Sequence, residues 1–277
     1  IEWGLLAYLG FTSLVAVLRG ASYPAARWVL LSNALMIALG WLVMRARTVP
    51  WVAALREVGP LLLLSVLYSQ IDLLNGSGSA PSRDALIRGW ERAVFGMEPS
   101  RDWWRAHPSA FWSTTLHAAY LTFYPMIFVP VTAALVRRNY IAARLSVTWL
   151  MATFLLCYVV FILVPVGGPY YEYPWPAGAF VANWAAHLVY RVVGIGSAYG
   201  AAFPSSHVAA AVVAVGATFL VSRRLGVALA VPAALLTVGT VYCQMHYAMD
   251  ALSGLAVGAL VLAAGLATRD WMTPRLS

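Results

Sequence analysis

Two short stretches hold the side chains best suited to chemistry. His246-Tyr247-Ala248-Met249-Asp250 places a carboxylate four residues after a histidine. Residues at that spacing share a helix face, so Asp250 is within reach of the His246 ring. Phe203-Pro204-Ser205-Ser206-His207 supplies a second histidine just inside a helix start. Proline followed by serine opens helices, with Ser205 or Ser206 as the cap. The N–H groups and positive dipole end of such a start suit a phosphate. Two imidazoles and one carboxylate are enough for nucleophilic phosphoryl transfer. One ring attacks phosphorus, the carboxylate orients it and stabilises its charge, and the other ring protonates the leaving oxygen and then activates the acceptor. Each motif alone also has a plainer reading, as a capped helix with an interfacial histidine or as a buried pair that satisfies itself. A His-His-Asp set can bind zinc, but no ligand cluster of metal-binding spacing occurs, so neither metal nor cofactor is expected.

The elements that carry these residues are membrane helices. Of the 277 residues, 62% are hydrophobic and only 10% charged, against about 25% charged in soluble domains. Such a chain has too little polar surface to cover itself in water. A span needs roughly 17 to 25 apolar residues. Eight stretches qualify, at about 3–18, 28–44, 58–74, 111–136, 144–165, 205–221, 225–243 and 247–268. The fold expected is therefore all-α, a polytopic membrane helix bundle of about eight spans forming one domain over 1–277, with the reactive motifs in 166–268. Two long connections interrupt it. In 75–110, Leu86, Trp90, Ala93, Val94 and Met97 recur at helical spacing, with Arg83, Asp84, Arg88, Glu91 and Arg92 between them. That pattern predicts an amphipathic helix lying on the membrane surface. The other, 166–204, is rich in glycine, proline and aromatic residues.

All 18 basic residues are arginine, and the formal net charge is +8. They flank apolar stretches, which points to membrane-side anchoring and phosphate contact rather than nucleic acid. Eight spans put both termini and the connections 45–57, 137–143 and 222–224 on one side. These short segments carry Arg45, Arg47, Arg56, Arg137, Arg138, Arg144, Arg223, Arg224, Arg269 and Arg275. The positive-inside rule assigns that side to the cytoplasm. Both histidine motifs then fall at the same depth on the opposite, non-cytoplasmic side, although about 40 residues separate them. Asp72 and Gln70 end the third span on that side. His117, Tyr120 and Tyr124 lie near one face early in the fourth, and Arg191 is a further phosphate candidate. Asp72, His117, Tyr120 and Arg191 are candidate head-group contacts, although tyrosine at that depth also anchors at the interface. Cys157 and Cys243 each sit inside an apolar run, so no disulfide is expected.

Pro204-Ser205-Ser206-His207 followed by His246-Tyr247-Ala248-Met249-Asp250 resembles the second and third motifs of the type 2 phosphatidic acid phosphatase superfamily. The resemblance implies a six-helix phosphatase-like core plus extra N-terminal helices. It also implies His246 as nucleophile, Asp250 as its support and His207 as proton donor. That superfamily's phosphatase branch carries a Lys, six residues, Arg-Pro motif that is missing here, and Thr240 stands where its third motif has arginine. Gly167-Gly168-Pro169-Tyr170, Phe-Pro-Ser-x-His and His-Tyr-x-x-Asp are similar to the aureobasidin-target inositol phosphorylceramide synthases and their bacterial relatives. That similarity adds Gly168 and Tyr170 to Ser205 and Ser206 as substrate contacts. It implies transfer of a phosphoryl or phosphorylated head group from a phospholipid or polyprenyl-phosphate donor to a hydroxyl acceptor. A lipid phosphate or polyprenyl diphosphate phosphatase, and a non-catalytic lipid-binding protein or transporter, are the alternatives.

Overall fold

The structure is a computed structural model that describes residues 2–45 and 58–276, with side chains described as far as Arg269. Its principal helices are α1 (Glu2–Arg19), α2 (Arg27–Arg45), α3 (Leu64–Leu74), α4 (Asp84–Phe95), α5 (Pro99–Ala106) and α6 (Ala110–Leu121). After them come α7 (Val129–Val136), α8 (Tyr140–Leu163), α9 (Trp184–Gly196), α10 (Ser206–Phe219), α11 (Arg223–Tyr242) and α12 (Ala248–Leu276). Among the described residues the only β pairing is one isolated parallel bridge between Val166 and Ala201. The chain is an all-helical membrane protein.

Among the described residues, four helices are long and apolar enough to cross a membrane on their own: Pro24–Arg45, Tyr140–Leu163, Arg223–Tyr242 and Ala248–Arg269. A fifth crossing results if the pair Ala110–Met126 and Val129–Val136, bent by 47°, is taken as one. The sequence suggested eight spans and an unbroken fourth. The break in that fourth span coincides with Pro125 and Pro130, each of which removes a helical N–H donor. Val58–Leu74 and Ser206–Phe219 are apolar but shorter, and α1 carries a charge at each end, Glu2 and Arg19. Arg47 and Arg56 lie outside the described residues, as does the side chain of Arg275.

The centre of the bundle is α10, packed against α7, α8, α11 and α12. Its sequence explains that position. Val208, Ala209, Ala210, Ala211, Val213, Ala214 and Ala217 are all buried, and short side chains let neighbours close in from several directions. Against α12 the approach is backbone to backbone. A Cβ on Gly254 would lie 2.5 Å from the Ser205 carbonyl oxygen, and one on Gly258 would lie 2.7 Å from that of Ala209. Glycines four apart give membrane helices this kind of close crossing. One end of the bundle is tied by Arg19, whose guanidinium donates to the carbonyls of Leu74 and Ile162 and to Asn75 Oδ1. At another point Arg137 donates to the carbonyl of Val221, joining the 137–139 turn to the α10–α11 turn.

The amphipathic helix expected in 75–110 is α4, but its faces are used differently from the expectation. Leu86, Trp90 and Val94 are exposed, whereas Asp84, Ile87 and Glu91 are buried. In a membrane protein the apolar stripe can face lipid while part of the polar stripe turns inward.

Candidate active site

The two motifs meet at the amino-terminal ends of α10 and α12. Ser205 caps α10, its hydroxyl accepting from Val208 N. Its own N–H donates to the Asp250 carbonyl at 2.9 Å, so one motif is pinned directly to the other. This bond and the glycine crossing below it bring the His207 and His246 rings to a centroid separation of 5.7 Å. His207 packs between Tyr120, nearly stacked at 5.0 Å, and Phe123 at 4.2 Å. Tyr120 Oη lies 3.2 Å from His207 Nε2. His207 Nδ1 is buried and has no hydrogen-bond partner among the described residues.

His246 precedes α12 rather than lying within it, so the helix-face argument from its spacing to Asp250 needs correction. The chain leaves α11 in a tight turn in which the Thr240 carbonyl accepts from both Met245 N (2.9 Å) and His246 N (2.8 Å). Gln244 occupies the left-handed region there, with φ of 59°. Asp250, in the first turn of α12, reaches back in the manner of a capping box. Its Oδ2 accepts from Tyr247 N at 2.9 Å and lies 3.4 Å from His246 Nδ1. With Nδ1 facing the carboxylate, Nε2 is the His246 nitrogen left for a substrate. Both side chains are buried.

Two carboxylates from the polar positions of the amphipathic helix α4 hold this turn in place. Asp84 accepts from Gly168 N (2.7 Å), Gly167 N (2.8 Å) and Tyr247 Oη (2.9 Å). The glycine loop is thereby joined to the residue after His246. Gly168 has a φ of +92°, and a Cβ on it would stand 2.9 Å from that of Ala202, so side chains are excluded there on two counts. On the other side, Val166 pairs with the segment before Phe203 through Val166 N to Gly200 O and Ala202 N to Val166 O. Glu91 Oε1 accepts from Ala248 N at 2.5 Å. Neither role was legible in the amphipathic pattern. The spacing of Asp84, Ile87 and Glu91 along one helical stripe was the signal available.

Outside the spans, Glu98 is a hub. Its carboxylate accepts from Tyr173 Oη at 2.6 Å and pairs with Arg88, Arg92 and Arg101. Burial opposes its ionisation, but Tyr173 and the arginines outweigh burial and hold the carboxyl below its ordinary range. From α5, Trp104 Nε1 and Arg105 Nη1 both donate to Gln244 Oε1 at 3.0 Å, bracing the turn two residues before His246. Among the described residues, no group of three His, Cys, Asp or Glu is arranged to hold a metal.

The remaining candidates fall in different places. Ser206 is buried in the first turn of α10, one residue before His207. Tyr170 is half-buried against Tyr171 and Trp175. His117, one turn before Tyr120, is buried in a neighbouring aromatic cluster. Its Nδ1 contacts the Ser113 carbonyl at 2.7 Å and Cys243 Sγ at 3.4 Å, and its ring packs on Phe180 and Tyr190. Asp72 is used in loop architecture, accepting from Tyr199 N (3.1 Å) and Ser77 Oγ (2.8 Å). Gln70 bonds Ser32 and Asn33 between helices. Arg191 is exposed on α9.

Comparison with known proteins places this geometry in a family. No curated protein and no solved structure matches the chain significantly. A family model described as the PAP2 superfamily matches residues 85–264. That range runs from the second residue of α4 into the spanning part of α12; it includes both histidine motifs, the glycine loop and Glu91, and begins one residue after Asp84. The chain belongs to the PAP2 superfamily, a family of helical membrane enzymes of the phosphatase and phosphotransferase type.

Proposed function

We propose that the protein transfers a phosphoryl or phosphorylated head group from a lipid donor to a hydroxyl acceptor through a phosphohistidine on His246. The observation that carries this reading is the pair of rings 5.7 Å apart with Asp250 on Nδ1 of one of them. His246 Nε2 attacks phosphorus and the bond from phosphorus to the leaving oxygen breaks. Asp250 keeps the ring in the tautomer with Nε2 free and stabilises the cation that forms. Protonated His207 gives its proton to the leaving oxygen. Neutral His207 then takes the proton of the acceptor hydroxyl as that oxygen attacks phosphorus and the P–N bond breaks. The first-turn N–H groups of α10, at Ser206 and His207, are positioned by their helix to receive phosphate oxygens. Gly168 and Tyr170 belong to the loop that closes the same end of the bundle.

A lipid or sugar hydroxyl as acceptor, rather than water, is favoured by one feature. Thr240 stands in place of a basic residue and its carbonyl is committed to the turn before His246, so the usual clamp on a small phosphate is incomplete. The arginine-dense turns at the far end of α10 and α11 support a site opening on the non-cytoplasmic side. The test uses purified protein, a labelled lipid phosphate donor and a hydroxyl acceptor. A labelled acceptor is the expected product. Inorganic phosphate at an unchanged rate with or without acceptor would make the protein a lipid phosphate phosphatase. No turnover of any donor would leave a lipid-binding or transport role.

A further inference from the structure

The first turn of α12 is capped by two acidic side chains at once. Asp250 takes Tyr247 N from within the helix, and Glu91 takes Ala248 N from α4. Their bound oxygens sit on consecutive N–H groups of one helix start, and both side chains are 0% exposed. Each also keeps one buried oxygen, Glu91 Oε2 and Asp250 Oδ1, that has no hydrogen-bond partner among the described residues. Two buried like charges this close are strongly unfavourable, and such pairs resolve by holding a proton.

We propose that Glu91 is a positioning residue that anchors the start of α12 while carrying a proton, so that of the two carboxylates capping that start only Asp250 presents negative charge to His246. The inference rests on the proposed role of His246 as nucleophile and deepens it. If Glu91 were ionised, two buried carboxylate charges would stand side by side at one helix start and repel each other. When neutral, it still accepts from Ala248 N and so still fixes the turn.

The surroundings agree with this. Burial raises the Glu91 carboxyl to about 7; the Ala248 N–H opposes the rise, and the charge of Asp250 adds to it. Titratable neighbours face it from each packed element. Asp250 lies on α12, Tyr173 lies beyond the glycine loop, and Asp84 on α4 itself bonds Tyr247 in the same turn. Glu98 follows α4, but its charge is already matched by the arginines around it. No cation is recorded on Glu91 itself among the described residues. The sign follows: below about pH 7 Glu91 is neutral and the site is in its working state, and above it Glu91 ionises and the start of α12 carries two anionic caps.

The experiment compares full-length wild type with Glu91→Gln and Glu91→Ala by two readouts. The first is the pH-difference infrared spectrum of the purified protein, which reports a protonated carboxyl without any turnover. Wild type should carry such a signal at about pH 6 and lose it by about pH 8, and Glu91→Gln should lack it. The second is the pH profile of turnover on a lipid phosphate donor. Glu91→Gln should recover about tenfold over Glu91→Ala at about pH 6, the cost of an unpaired helix-start N–H, and should decline less than wild type toward alkaline pH. A purely structural glutamate would leave the two profiles superimposable, and that result, or identical infrared spectra, overturns the proposal. Loss of folding in Glu91→Ala does not blunt the test, because Glu91→Gln carries both readouts. Wild type that shows the carboxyl signal but no turnover refutes the enzymatic reading while upholding the proton on Glu91.

Discussion

The crossing of α10 and α12 sets the distance between the two histidines, so it is the place where a methyl group should cost most. In Gly254→Ala the added Cβ would stand 2.5 Å from the Ser205 carbonyl oxygen, and α12 must retreat by about 0.9 Å to reach the 3.4 Å of an ordinary contact. Ser205 is also the residue whose N–H holds the Asp250 carbonyl, so the retreat acts on the bond that pins the motifs together. Misplacement of about 1 Å costs roughly 10²-fold in rate, while overpacking of this kind costs about 1–3 kcal/mol in stability. Gly258→Ala, one turn further from the site with its Cβ 2.7 Å from the Ala209 carbonyl oxygen, should give a similar fall in stability but a smaller loss of rate. Gly40→Ala on α2, where a Cβ meets nothing within 4 Å, is the control and should leave turnover unchanged without lowering the thermal midpoint. Turnover on a lipid phosphate donor and the thermal midpoint in detergent are the assays. Gly254→Ala with wild-type turnover would refute the claim that this crossing sets the catalytic distance.

Other outcomes follow from single contacts. Asp84→Ala strands two loop N–H groups and the Tyr247 hydroxyl; at about 1–3 kcal/mol for each unsatisfied group, it should lower the thermal midpoint strongly and slow turnover, and a neutral effect would dismiss the α4 brace. Glu98→Gln should be less stable than wild type at neutral pH. Because the Glu98 carboxyl is held below its ordinary range, its stabilisation is complete above that range and is lost as pH falls through the lowered value; melting curves should therefore converge in acid, and parallel curves would contradict the assignment. Ser197→Cys should react with a membrane-impermeant maleimide added outside the cytoplasm, because Cys157 and Cys243 are both fully buried; labelling only from the cytoplasmic face would invert the topology.

The meeting of the two histidine motifs was legible because Pro204-Ser205 and His246-x-x-x-Asp250 each mark a helix start, and the structure brings those two starts together. The helices were legible because a long apolar run has few alternatives. Their continuity was not. Pro125 and Pro130 divide one apolar stretch into two bent helices, and a hydropathy pattern carries no information about that bend. The supporting carboxylates were misread for a related reason. An amphipathic pattern says that α4 has two faces but not which solvent each meets. In water the face with Leu86, Trp90 and Val94 would turn inward. Beside lipid it turns outward, which frees Asp84 and Glu91 to point at the Gly167-Gly168 loop and the start of α12. Nor did spacing reveal that His246 lies in a turn. The four-residue interval to Asp250 fits both an in-helix pair and a capping carboxylate that reaches back, and only the Thr240 carbonyl, taking two successive N–H groups, selects the second.

The most direct measurement of the central claim is trapping of label by an alkaline denaturing quench, which spares the acid-labile P–N bond, from a donor with labelled phosphate and a good leaving group. Wild type should retain label on the protein, His246→Ala should retain none, and His207→Ala should retain label while turning over slowly, because a good leaving group needs little protonation. Label trapped by His246→Ala but never by His207→Ala would exchange the two roles, and unimpaired turnover in both variants would contradict a phosphohistidine at this site.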